Sequence, residues 1–152
     1  MTRGDARELA VHLIYAREFT GEEPESVINT RLNKEYYPNL AQVNNVYSDR
    51  PNKAQTAYID TVVSGVASRL DVLNNYIAQY AIGWDVTRIS RLTRAVMQLS
   101  IFEILYVEDV PTGVAISEAV RIAKKYDGDD TGAFVNGILG SFARGLDQEV
   151  DK

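Results

Sequence analysis

At 152 residues without a single cysteine, the chain fits one domain of ordinary size and excludes disulfides, thiolate metal sites and a cysteine nucleophile. Apolar residues at 45% and charged residues at 24% match a folded globular protein and exclude wholesale disorder. The net charge of -5 has the wrong sign for coating nucleic acid by phosphate neutralisation, so any RNA binding must rest on a local patch or a basic partner.

The first predicted element runs from Asp5 to about Phe19. Ala6, Leu9, Ala10, Leu13 and Phe19 recur near helical spacing, and Thr2 with Asp5 has the form of a capping box. Asp5, Glu8 and His12 interrupt the apolar run, so no signal peptide is expected, and nowhere do about 18 apolar residues follow one another as a membrane span requires. Gly21 should end this helix, and Pro24 stands at a tolerated first helical position before Val27, Ile28 and Leu32. Asn33 to Asn52, polar and dotted with tyrosine, with Pro38 and Pro51, reads as a long connection holding at most a short turn of helix.

Helical periodicity returns at Lys53. Ile59, Val62, Val63, Val66 and Leu70 form one stripe, Leu73, Tyr76, Ile77 and Tyr80 the next, and Gly83 is a stop signal. From Asp85 to about Tyr106, Ile89, Leu92, Val96 and Leu99 lie on one side and Met97, Ile101, Ile104 and Leu105 on another. A helix apolar around most of its girth belongs in the middle of a bundle. After Pro111 comes a helix with Ala115, Ile116, Ala119, Ile122, Ala123 and Tyr126, its Lys124 and Lys125 set against the C-terminal dipole. Gly128 to Gly132 reads as a loop, and a last helix carries Phe134, Val135, Ile138, Leu139, Phe142 and Leu146. No segment alternates with period two over strand length, so the reading is all-α, with about seven helices and no sheet.

Catalytic chemistry is missing. His12 is the only histidine and sits between Val11 and Leu13, which suits a half-buried helix residue. Neither a phosphate-cradling loop nor a zincin motif occurs. Asp127, Asp129 and Asp130 could hold a divalent cation but lack EF-hand spacing, and capping of the last helix by Asp130 or Thr131 is the simpler role. No metal and no cofactor is expected. Arg88, Arg91 and Arg94 recur every third residue and read as the charged outer face of a helix, as do Arg3 and Arg7 taken alone. Of the nine tyrosines, Tyr58, Tyr76, Tyr80 and Tyr126 suit the core, whereas Tyr36, Tyr37 and Tyr47 could stack bases or pack the connection onto the bundle.

A more specific signal is a series of short motifs: Glu103-Ile-Leu-Tyr106, Asp109-Val-Pro111, Val114-Ala-Ile-Ser-Glu-Ala119, Ala123-Lys-Lys125 and Phe134-Val-Asn-Gly-Ile-Leu139. Ala6-Arg-Glu-Leu-Ala-Val11 and Tyr15 join it at the N-terminus. In this order and at these intervals the series resembles the NusB family, over residues 3–20 and 84–142. The resemblance implies two small packed helical bundles in one domain over residues 1–152. It implies a cytoplasmic transcription antitermination factor without catalysis, membrane contact or small-molecule cofactor. Such a factor binds boxA RNA together with ribosomal protein NusE and joins the antitermination complex on RNA polymerase during ribosomal RNA transcription. Carried onto matching positions, it nominates Arg3, Arg7, Asp130 and Phe134 for RNA and Tyr15 for the surface shared with the partner. The spacing of Phe134 to Ile138 suits the core equally well, so both roles stay open.

The chain also departs from the family pattern. Gly4 and Asp5 interrupt an N-terminal arginine run, Ala133 stands where lysine is frequent, Ser117 replaces asparagine, and the connection from Asn33 to Asn52 is long. Fewer cations mean fewer phosphate contacts, so weak RNA binding alone and tighter binding with NusE is expected. A second reading is a helical protein-interaction adaptor of the same fold with little RNA binding of its own. A NusB-like domain is also found fused to ribosomal RNA cytosine methyltransferases, but 152 residues leave no room for their Rossmann unit, so no enzyme is expected.

Overall fold

The computed structural model describes residues 1–33, 37, 44–47, 49–83 and 89–150. Among them are seven α-helices and no strand: α1 (Arg3–Thr20), α2 (Pro24–Arg31), α3 (Lys53–Ser68), α4 (Leu70–Tyr80), α5 (Arg91–Tyr106), α6 (Thr112–Asp127) and α7 (Asp129–Val150). A 3-10 turn spans Asn45–Tyr47. The chain divides into two compact units, residues 1–68 and 69–152. No helix of the described residues is long and apolar enough to cross a membrane.

In the first unit the expected capping box is present. The Thr2 hydroxyl accepts the Asp5 N–H and the Asp5 carboxylate accepts the Thr2 N–H, each at 3.0 Å, satisfying donors that a helix start leaves open. The helix ends at Gly21, whose φ of 68° few side chains tolerate and whose N–H closes on the Arg17 carbonyl. Pro24 then opens α2 where its missing N–H costs nothing. Helix α1 packs along α3, and Leu9, Leu13, Ile59, Val62 and Val63 are wholly buried. Phe19 departs from the expected stripe and is 55% exposed. At 3.6 residues per turn it points about 120° around the helix from Leu13. There it meets Tyr15 edge-on, the ring centroids 4.9 Å apart.

The long connection is tied down by its tyrosines, which settles two of the three in favour of packing. Tyr37 and Tyr47 are buried, edge to face at 5.5 Å, and the Tyr37 hydroxyl donates to the Asp49 carbonyl at 2.7 Å. The Tyr47 hydroxyl lies 2.7 Å from His12 Nδ1 on α1 and accepts from Arg31 at 3.4 Å. His12 is thus a half-buried structural anchor. Burial, helped by the neighbouring Tyr47, pushes the Tyr37 phenol up to about 12 from its usual 10.0. Tyr36 lies outside the described residues.

In the second unit α5 is the central helix. Every residue from Ala95 to Glu103 is buried, as its all-round apolar pattern requires, and α5 packs against α4, α6 and α7. Its described start is Arg91, with Ser90 as N-cap, while residues 85–88 of the longer expected helix lie outside the described residues. The stripe read as running on to Leu70 is cut at Arg69, whose φ of -128° and ψ of 24° are not helical, so Leu70 begins α4 and is exposed. Ala115, Ala119 and Ala123 give α6 a buried, small-residue face, and the α6–α7 pair is the most extensively packed in the unit. Phe142 of α7 makes T-shaped contacts with Tyr76 and Tyr80, the centroids 4.9 and 6.0 Å apart.

The loop expected over Gly128 to Gly132 contracts to one residue. Gly128, with φ of 94°, turns the chain by itself, and α7 begins at Asp129. Gly132 falls inside α7 against the stem of Lys124, where a Cβ would come within 2.4 Å of Lys124 Cγ.

Two outcomes test this packing. Replacing wholly buried Ile59 with Ala should lower stability by about 2–5 kcal/mol in urea unfolding, against about 1 kcal/mol for Thr2→Ala at the cap. Because the folded value of Tyr37 lies above the unfolded one, the unfolded chain loses that proton first. Stability from this group is intact below pH 10.0 and falls toward about 12. The slope is up to about 1.4 kcal/mol per pH unit, and Tyr37→Phe should remove it from the pH profile of the urea midpoint.

Candidate nucleic-acid interface

Arg3 occupies the first position of α1, directly after the cap, and is exposed. Its guanidinium lies 4.2 Å from the ring centroid of Tyr58 on α3, inside cation–π range. The stack restricts a long, flexible side chain while leaving its charge accessible, a favourable preparation for a phosphate or a base edge. Arg7 shares the same ring at 5.8 Å but is only 3% exposed. This corrects its reading as an outer-face charge. From Ala6 to Val11 every residue of α1 is buried, so the position one turn after Arg3 faces the interior. Arg7 therefore supports the aromatic platform, and Arg3 presents the charge. Tyr58 was read from sequence only as a core residue. Nothing local marks it as a platform, because its role depends on α1 crossing α3.

The start of α7 carries the second set. Asp129 and Asp130 are exposed in its first turn, where the helix dipole favours carboxylates. Neither they nor Thr131 perform the expected cap. The helix has already begun at Asp129, and the Thr131 hydroxyl donates backward to the Asp127 carbonyl at 3.1 Å. Phe134 is half-buried, neither sealed in the core nor fully exposed. Asp130 and Phe134 are one turn apart and share a helix face. A carboxylate repels phosphate but accepts from the exocyclic amino groups of bases, and an aromatic ring stacks on an unpaired base. The pair suits a splayed-out base better than a nucleic-acid backbone. Among the described residues no group of three or more His, Cys, Asp or Glu converges as a metal site would require.

Tyr15 lies about 18 Å along α1 from Arg3. It is 36% exposed and with Phe19 forms an aromatic pair on the face opposite Leu13. Such a pair is suited to a protein partner. On α5, Arg91 is exposed and Arg94 half-buried, and Arg88 lies outside the described residues. The structure thus brings Arg3 and Arg7 together on one ring and Asp130 with Phe134 on one helix turn, while Tyr15 stands apart on the outer face of α1.

The sequence pattern described as the NusB family matches residues 4–144. The transcription antitermination protein NusB of Symbiobacterium thermophilum is 36% identical over 146 residues, which cover 96% of this chain and 92% of that protein. The protein of the same name from Ruminiclostridium cellulolyticum is 36% identical over 151 residues, covering 99% and 94%. Among solved structures, T. maritima NusB superposes with a TM-score of 0.77 at 27% identity, covering 95% of this chain and 92% of that one. A crystal structure of the antitermination factors NusB and NusE in complex with dsRNA gives 0.72 at 20% identity, covering 94% and 96%, and shares the fold.

The different surroundings of the two arginines give a stability test. Arg7→Ala should destabilise the protein by about 1–3 kcal/mol, because it empties a buried position, whereas Arg3→Ala should stay within about 0.5 kcal/mol of the parent. Thermal or urea unfolding of the two variants side by side checks the contrast.

Proposed function

The chain belongs to the NusB family, and from that membership we propose that it binds boxA RNA together with ribosomal protein NusE and joins the antitermination complex on RNA polymerase during ribosomal RNA transcription. Proteins of this family are transcription antitermination factors, not enzymes. Residues 1–152 act as one RNA-binding module. Arg3 holds a phosphate or a guanine edge from its seat on Tyr58, which Arg7 keeps in place. Asp130 accepts from the amino group of an unpaired base, and Phe134 stacks on it. Tyr15, with Phe19 beside it, faces NusE.

The observation that carries this reading is the pairing of an exposed carboxylate with a half-buried aromatic ring one turn later, at the start of α7 in a NusB-family chain. The solved complex of NusB and NusE with dsRNA supports the choice of partner. In the isolated chain 21 Asp and Glu outnumber 16 Lys and Arg, so the net charge of -5 opposes RNA and affinity has to be completed by the partner.

The burial of Arg7 favours one competing reading, an adaptor of the same fold that contacts proteins and leaves RNA to others. Titration of boxA RNA with and without NusE separates the two. On the proposed function, NusE tightens binding, and Phe134→Ala weakens the ternary complex about tenfold or more through loss of base stacking. If Phe134→Ala and Asp130→Ala both assemble with RNA as tightly as the parent, the adaptor reading replaces this one.

A further inference from the structure

We propose that Asp127 is the positioning residue of the RNA surface, clamping the corner from which α7 departs to the start of α5. The inference rests on the reading above that Asp130 and Phe134 meet RNA.

Asp127 ends α6, where a carboxylate opposes the negative end of its own helix dipole. Asp129 and Asp130 follow at once and add like charge. A local preference broken in this way calls for compensation elsewhere, and α5 supplies it. One carboxylate oxygen of Asp127 accepts both the Ser90 hydroxyl, at 2.6 Å, and the Thr93 hydroxyl. Ser90 is the N-cap of α5, and its oxygen also accepts the Thr93 N–H at 3.0 Å. The misplaced charge on α6 thus lies at the positive end of α5, held by hydroxyls whose own bonding is satisfied.

The backbone of Asp127 is engaged as well, since its carbonyl accepts the Thr131 hydroxyl at 3.1 Å. Gly128 stands between, with φ of 94° and no side chain to restrict it. Its N–H bonds to the Lys124 carbonyl at 3.1 Å, and its carbonyl accepts the Gly132 N–H at 3.2 Å. A glycine junction is free to rotate unless both flanks are held. Here the Asp127 side chain fixes one flank to α5, and Thr131 fixes the other to Asp127. Packing along α6 sets the axis of α7, and this corner sets its first turn, from which Asp130 and, one turn on, Phe134 project.

The test exploits a difference in sign. Asp127 is exposed, so its truncation opens no core cavity. If it acted only as a surface charge, its removal would strengthen RNA binding, because a negative charge near a polyanion would be gone. The clamp predicts the reverse: Asp127→Ala weakens ternary binding of boxA RNA by about five- to tenfold. Asp127→Asn keeps an oxygen for both hydroxyls and loses only charge, so it binds at least as tightly as the parent. Thr93→Val retains the charge, removes one donor, and weakens binding without adding to the effect of Asp127→Ala. Hydrogen exchange of the amides from Gly128 to Gly132, measured without RNA, accelerates in Asp127→Ala and not in Asp127→Asn. Tight binding by Asp127→Ala alongside lost binding by Phe134→Ala overturns the clamp and leaves the RNA surface standing. Unchanged binding in both variants overturns the clamp and the surface together.

Discussion

An acidic protein that holds a polyanion cannot rely on the general attraction that serves basic RNA-binding proteins. At a net charge of -5 the long-range field repels RNA, and whatever attraction exists must act at contact distance through groups whose positions are fixed beforehand. Helix starts meet this demand. Their first turn is set by caps and by the direction of the entering chain, so side chains there have defined positions, and their dipole is positive. On the proposed function the device occurs twice, at Arg3 behind the Thr2–Asp5 capping box and at Asp130 and Phe134 behind Gly128.

The two starts differ in chemistry. At α1 a cation is held by an aromatic ring from another helix, and the second arginine on that ring is buried to steady it. At α7 the first turn is acidic, which disfavours phosphate, so on the proposed function base edges are its ligand. On the proposed function, one start anchors and the other discriminates. The clamp at Asp127 belongs to the same economy: a carboxylate that would weaken RNA binding in the open is drawn to the start of α5 and used to set the corner.

Features determined by a few consecutive residues were legible in the sequence. The capping box at Thr2 and Asp5, the stop at Gly21, Pro24 opening α2 and the girdled apolar pattern of α5 all stand in the structure, because each is a local preference that packing does not contradict. The break at Arg69 carries no glycine or proline and so left no mark. Five residues from Gly128 to Gly132, with two glycines and two aspartates, read as a loop. Acidic residues are equally at home in the first turn of a helix, and a single glycine sufficed to turn the chain. Within the candidate site the nominated residues came from the resemblance, and their surroundings did not. The burial of Arg7 depends on what surrounds α1, and Tyr58 becomes a platform only through α3. Asp127 finds its partners 34 and 37 residues away. Periodicity within one helix is silent about contacts of that range.

The central claim, that RNA is held by a few preset groups and not by a cationic surface, has a direct readout in the salt dependence of boxA RNA binding by the isolated chain. One or two phosphate contacts predict a slope of log K against log salt of about -0.7 to -1.4 for single-stranded RNA. A slope of about -3 or steeper would require four or more phosphates to be neutralised, and would contradict the account.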